Sequence, residues 1–159
     1  MTPAAIDPWH APSTVLRALG QDTCLRLAEM GTEVSYDAGA AILREGEPTP
    51  FLGVVVEGRV GLRLSVPERG DQTVVTIEPG ELVGWSAVVP PYRASANAVA
   101  LEPTRLLAFD AARLRDLLAT DREAAAELLP ILLATMSDRL MTSWHQLLDL
   151  FAGQAAEPW

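Results

Sequence analysis

Residues 59–77 place the tightest limit on what this chain can fold into. Val60, Leu62, Leu64 and Val66 alternate with Arg59, Gly61, Arg63 and Ser65, so an extended chain here turns one face to a core and the other to water. The turn Pro67-Glu68-Arg69-Gly70-Asp71 then reverses the chain, and residues 72–77 return beside it. A hairpin is expected. From 32 to 109 similar short β-prone runs recur between turn residues, the spacing of a sandwich or barrel. Runs at Ile42-Leu43 and 51–56 are bounded by Gly39, Gly46 and Gly58, where reversals favour a residue without a Cβ. Ala94, Ala96, Ala98 and Ala100 read as one face of a further strand, so another strand or a ligand must approach that face closely.

Helical spacing frames this β region. Residues 1–12, with Pro3, Pro8 and Pro12, read as an extended arm docked by Trp9. Ser13 or Thr14 caps a short helix, and a second helix over 22–30 stops at Gly31. After the strands, Asp110 is the N-cap expected for 111–119 and Asp121 for a long segment reaching about Phe151. Leu129, Leu133, Met136, Leu140, Trp144, Leu147 and Phe151 recur there at steps of three and four, and Leu132, Met141 and Leu148 widen the stripe. So broad an apolar face exceeds what one small barrel needs, which predicts a homodimer through this helix. Pro130 should kink or split it. The expected layout is the arm over 1–12, one domain over 13–152 and a tail over 153–159, consistent with 159 residues and the usual ~100–200 per domain.

Charge narrows the partners. Twelve cations, every one Arg, face 21 Asp and Glu for a net charge of −9. With no basic cluster, direct nucleic-acid binding is not expected. The lone Cys24 forbids an internal disulfide and fits a reducing compartment. Residues 1–8 lack the charged and apolar segments of a signal peptide, and no apolar run is long enough for a membrane span. A cytoplasmic protein is expected.

Chemistry-bearing clusters are scarce. His10 lies in the arm and His145 on the last helix, too few and too far apart for a cupin-type metal site. Cys24 has no His beside it, so a small buried thiol is expected. Glu45 and Glu47 flank a turn next to Arg44 and suggest a surface ion pair. Neither a phosphate loop nor a Gly-x-Ser-x-Gly elbow occurs. No catalytic set and no metal site are expected.

One string points further: Asp37-Ala38-Gly39-Ala40-Ala41-Ile42-Leu43-Arg44-Glu45-Gly46-Glu47, then Val54-Val55-Val56-Glu57-Gly58-Arg59-Val60, Gly70, Ile77-Glu78-Pro79-Gly80-Glu81-Leu82-Val83-Gly84 and Ala98-Val99-Ala100. This resembles the cyclic-nucleotide-binding domain of the catabolite-activator (Crp-Fnr-like) and protein-kinase regulatory families, over roughly residues 14–152. The resemblance implies a mainly β fold with helices: a double-stranded β-helix, or jelly-roll, barrel flanked by short N-terminal helices and a long C-terminal helix that often dimerises. It also implies a phosphate-binding cassette between two late strands.

In such cassettes a Gly-Glu pair precedes an Arg and a small residue; the Glu accepts from the ribose 2′-hydroxyl while the Arg and backbone N–H groups neutralise the cyclic phosphate. Here Gly84 matches, but Trp85 replaces the Glu and Ala94 the Arg, with Ser95 and Ala96 as the small residues. The diverged cassette thus comprises Gly84, Trp85, Ser86, Ala87, Arg93, Ala94, Ser95 and Ala96. Trp85 is expected either to fill the ribose subsite and close the pocket or to offer a flat face to a different, less charged ligand. Glu81 after Gly80 matches an acidic position one element earlier, not the cassette Glu. Arg93 rescues phosphate binding only if it sits on the loop, because a one-residue shift on a strand reverses the side chain. Thr142 and Ser143 lie near where relatives place hydroxyls over the purine. In transcriptional relatives a helix-turn-helix module follows the long helix; here only 152–159 remain.

The leading expectation is a non-enzymatic regulatory or sensor protein, without a cofactor, that acts through a protein partner. Two alternatives stand beside it: a working cAMP or cGMP module using Arg93 and cassette amides, and a ligand-free structural adaptor sealed by Trp85 that docks a partner through its acidic surface or the tail 155–159.

Overall fold

Two runs, β3 (Phe51–Glu57) and β8 (Thr104–Asp110), are apolar through their central positions, and their neighbours explain why. In the computed structural model, which describes residues 14–154, each is covered on both faces. Successive side chains on a strand point to opposite sides. Leu52, Val54, Leu107 and Phe109 therefore pack against the helices. Val55 and Leu106 face the interior between two sheets with Ile42, Leu43, Val60, Ile77, Val83, Ala98 and Ala100.

Around this pair the chain runs α1 (Thr14–Arg17), α2 (Gln21–Met30), β1 (Gly31–Tyr36), β2 (Ala41–Leu43), β3, β4 (Val60–Val66), β5 (Gly70–Ile77), β6 (Leu82–Val83), a 3-10 turn (Trp85–Ala87), β7 (Asn97–Ala100), β8, α3 (Ala111–Thr120) and α4 (Arg122–Gln154). Two four-stranded sheets result, β1-β8-β3-β6 and β2-β7-β4-β5, and every pairing is antiparallel. This is the mainly β jelly-roll with flanking helices that the sequence implies.

The hairpin forms where expected, with one correction. Val60 is fully buried, Leu62 half-buried and Leu64 38% exposed, so the alternating face loses its cover toward the turn. β7 pairs with β4 only at 60–63, leaving the far end of the hairpin without a neighbour on that side, and the β4–β5 register slips between Leu62 and Arg63. The alanine face is also shorter than its pattern. Ala98 and Ala100 are buried on β7, whereas Ala94 and Ala96 precede the strand, whose first residue, Asn97, accepts the Glu45 N–H on its side chain at 2.9 Å.

Both expected N-caps are present: Asp110 accepts from Arg113 N at 3.0 Å and Asp121 from Ala124 N at 3.1 Å. Gly31 does not end α2 in a left-handed turn. Its backbone is extended and opens β1, and Leu107 and Phe109 side chains crowd the place a Cβ would take, at 3.2 Å. Nor is α4 split. It runs unbroken through Pro130, flanked by Leu128 and Leu132 in the core. From Leu140 onward its residues are exposed, and Leu133, Leu140, Trp144, Leu147 and Phe151 stand more than half exposed, while Met136 is half-buried.

Cys24 is buried, its thiol donating to the Leu16 carbonyl at 3.3 Å, and burial pushes its pKa up, away from thiolate chemistry. Arg44 makes no ion pair with Glu45 or Glu47; all three are exposed, where such a pair gains too little to hold long side chains in place. α4 ends two residues beyond the boundary expected at 152. The arm over 1–12, with Trp9 and His10, and the tail from 155 fall outside the described residues.

Gly58 is the tightest turn. Its φ is +84°, and a Cβ there would sit 2.5 Å from the Pro103 carbonyl and the Thr104 hydroxyl. Left-handed backbone costs an L-residue about 1–2 kcal/mol, and overpacking adds about 1–3 kcal/mol. Gly58→Ala should therefore lower the unfolding free energy by about 2–5 kcal/mol in urea. Gly39→Ala, at φ +86° but with nothing within 4 Å, should cost only about 1–2 kcal/mol. Equal losses at the two positions would refute the contact at Gly58.

Candidate ligand-binding site

The 3-10 turn at Trp85–Ala87 follows a glycine that no other residue can replace without strain. Gly84 has φ +82°, and a Cβ would meet the Phe51 carbonyl at 2.6 Å. This tight approach of β3 sets the start of the cassette. Three contacts then hold it from outside. The buried Thr49 and Ser86 hydroxyls lie 2.7 Å apart, Arg115 of α3 donates to the Ala87 carbonyl at 2.8 Å, and the Arg115 guanidinium stacks 4.5 Å over the Tyr92 ring.

Within this frame the predicted cassette residues do come together. Gly84, Trp85, Ser86, Ala94, Ser95 and Ala96 line one pocket with Leu43 and Leu62. Ala87 is buried behind it. The pocket holds only about 20 Å³, below the ~300 Å³ typical of organic-ligand sites. Trp85 contributes to that closure only in part, because its ring also packs with the helical core cluster.

Arg93 does lie on the loop, in a single bridge with Pro48, but it is not part of the pocket wall. Its guanidinium donates to the Gly46 carbonyl at 2.8 Å and so ties the cassette loop to the β2–β3 connection. Glu81 also has a structural duty, accepting the Glu78 N–H at 2.7 Å across the tight turn before β6.

The residue that sequence reasoning missed is Arg139. It rises from α4, donates to the Leu82 carbonyl and closes the cassette pocket from the helix side. Among the described residues no carboxylate forms an ion pair with it. Burial pulls its pKa below the usual arginine range, and nearby Glu81 opposes that shift; an arginine nonetheless remains protonated. Its place beside Thr135, Asp138, Thr142 and Gln146, a polar strip flanking the apolar stripe, is the signal the sequence offered.

On the other side of Arg139 a second cavity of about 520 Å³ opens between β5, the β5–β6 turn and α4. Val75, Ile77, Glu81, Asp138, Thr142 and Gln146 are among its walls. Thr142 thus reaches a cavity, its hydroxyl donating to the Asp138 carbonyl at 2.9 Å. Ser143 does not; it is exposed and donates to the Arg139 carbonyl at 3.0 Å. Gln146 crosses to the edge strand and donates to Val74 O at 2.7 Å. These walls offer hydrogen-bonding groups and one half-buried positive charge. No group of three or more His, Cys, Asp or Glu among the described residues is placed to hold a metal ion.

A jelly-roll with a 3-10 turn after its sixth strand and a long helix packed across it is the architecture implied by the resemblance in the sequence. Residues 33–121, more than half the chain, match the cyclic nucleotide-binding domain, and the chain belongs to that family. It is 24% identical over 117 residues to the CRP-like cAMP-activated global transcriptional regulator of Mycobacterium tuberculosis, covering 74% of this chain and 50% of that protein. The chain thus spans about half the length of the curated relatives it matches. Among solved structures, the N-terminal domain of a transcriptional regulator from Streptomyces coelicolor superposes with a TM-score of 0.64 at 27% identity, covering 84% of this chain and 90% of that one. A cyclic nucleotide-binding domain from Methylobacillus flagellatus shares the fold with a TM-score of 0.74 at 23% identity, over 82% and 74% of the two chains. This is a domain of the regulator kind, and no helix among its described residues is long and apolar enough to cross a membrane.

The Thr49–Ser86 contact gives a direct check on the cassette frame. Thr49→Val keeps the shape but leaves the buried Ser86 hydroxyl without its partner, which should cost about 1–3 kcal/mol in urea unfolding. Adding Ser86→Ala should recover part of that loss. A single variant as stable as the parent would show that this hydrogen bond does not hold the cassette.

Proposed function

We propose that the chain is a non-enzymatic regulatory or sensor protein whose cassette has diverged from cyclic-nucleotide recognition. It works in the cytoplasm as a homodimer through α4 and passes its output to a protein partner. One observation carries the divergence: the cassette pocket is walled by Trp85 and Ala94 where a nucleotide would need an acid and a cation, and it has closed to about 20 Å³. Hydrogen bonds to charged groups contribute about 1.5–3 kcal/mol each. Losing two weakens binding by about 10²–10⁴-fold, enough to make a micromolar receptor nearly inert. Arg93 lies outside the pocket wall and donates to Gly46 O, so in this reading it braces the loop instead of supplying the cation.

Calorimetric titration with cAMP and cGMP should accordingly show no micromolar binding. Micromolar affinity abolished by Arg93→Ala would establish the opposite reading, a working nucleotide module.

The dimer rests on α4. Leu133, Leu140, Trp144, Leu147 and Phe151 expose an apolar face along a helix whose second half has no cover from its own barrel, and a contiguous patch of this kind marks an interaction surface. Its heptad-like steps suit a second copy of the same helix. Sedimentation velocity should find a dimer at micromolar concentration, and Trp144→Glu with Leu147→Glu should yield a folded monomer. A parent protein that stays monomeric at high micromolar concentration would overturn the assignment.

A further inference from the structure

Helix α4 serves two neighbours from two sides. Toward its own barrel, Leu128 and Leu132 seat the first half in the core, and Thr135, Asp138, Thr142 and Gln146 wall the cavity against β5. Arg139 and Gln146 donate to the Leu82 and Val74 carbonyls. Away from the barrel, Leu133, Leu140, Trp144, Leu147 and Phe151 stand exposed. A helix clamped to its barrel along this length is not free to wind around a partner, so any seam it offers a second copy must hold a constant bearing along the rod.

The order of the apolar steps meets that condition. Leu133, Met136, Leu140, Trp144, Leu147 and Phe151 are separated by three, four, four, three and four residues. Leu133 therefore recurs as Trp144, Met136 as Leu147 and Leu140 as Phe151, each eleven residues on. A seven-residue repeat begun at Leu133 would instead pass from Leu140 to Ser143, Leu147 and Leu150. The barrel-facing strip keeps the same order, with steps of three, four and four from Thr135 through Asp138 and Thr142 to Gln146. On a straight helix a seven-residue repeat drifts by about 20° every seven residues and imposes a left-handed supercoil. An eleven-residue repeat spreads a drift of about that size, in the opposite sense, over a longer stretch and gives a straight or gently right-handed pair. Exposure alone does not choose between them, since Leu150 is 64% and Phe151 68% exposed.

Resting on the homodimer reading, we propose that α4 meets a second copy through an eleven-residue seam that buries Trp144 and Phe151 and leaves Ser143 and Leu150 outside. The pair is straight or gently right-handed, not a left-handed coil. Every stripe residue from Leu129 to Phe151 is apolar and uncharged, so the stripe is complementary to itself under two-fold symmetry and carries no cation for an anionic surface. The seam is about 33 Å long, which suits a partner rod of the same length and character. Because seam and clamp share one period on different sides of the helix, association leaves the Arg139 and Gln146 bonds to the barrel in place.

Single glutamate substitutions in the full chain, followed by sedimentation velocity, test the seam. Trp144→Glu and Phe151→Glu should each weaken dimerisation by about 30-fold or more, whereas Ser143→Glu and Leu150→Glu should each weaken it by less than about 5-fold. All four positions are exposed in one copy, and circular dichroism checks that each variant folds. Hydroxyl-radical footprinting of the unaltered protein, above and below its dissociation concentration, gives a readout without variants. Trp144 and Phe151 should lose reactivity on association while Leu150 keeps it. Loss of the dimer in Ser143→Glu and Leu150→Glu but not in the other two, equal weakening at all four positions, or protection of Leu150 with Phe151 left reactive would each overturn the eleven-residue seam while the homodimer stands. A dimer indifferent to all four substitutions places the interface off α4 and overturns the seam together with the α4 assignment. A parent protein that stays monomeric at high micromolar concentration removes the homodimer itself, and the seam with it.

Discussion

Burial of β3 and β8 on both faces is the constraint on which the other features depend. Their inward side chains join the two sheets, and their outward side chains bind the sandwich to α2, α3 and α4. Each fully buried aliphatic side chain contributes about 1.5–3 kcal/mol, so this central layer is the main source of cohesion between sheet and helices. It also fixes the site. Phe51 O presses on Gly84 from β3, while Leu128 and Leu132 seat α4 so that Arg139 reaches β6.

With that scaffold in place, the cassette is held by contacts that leave its interior uncharged. Arg93 and Arg115 both spend their guanidinium groups on backbone carbonyls outside the pocket wall, at Gly46 and Ala87. Such bonds brace a loop. They do not present a cation to a ligand. The positive charge at the pocket comes from a different element, α4, whose far half is also the exposed apolar face. The pocket's one charged wall residue and the exposed apolar face therefore lie on the same helix.

Much of the fold was legible in local pattern because period-two alternation and capping chemistry are short-range. The β4–β5 hairpin, the Asp110 and Asp121 caps and the long stripe of α4 all follow from residues a few positions apart. The errors fall where a distant neighbour decides. Leu64 repeats the buried pattern yet is exposed, because β7 ends before it. Gly31 does stop α2 as expected, but its extended backbone and its close packing against β8 side chains were not readable locally. Pro130 lacks a helix donor and could have split the segment, yet α4 continues through it between core contacts of Leu128 and Leu132.

What the residues by themselves determined is the family frame and the uncharged identities of Trp85 and Ala94 beside Gly84, since glycine spacing and residue identity are properties of the linear chain. Only tertiary structure decided that Arg93 turns to Gly46, that Thr142 but not Ser143 reaches a cavity, and that Arg139 stands where the cassette has no cation. The reason is geometric. Helix α4 meets β6 across 57 residues of sequence, and no local periodicity specifies which of its side chains will face a strand that far away.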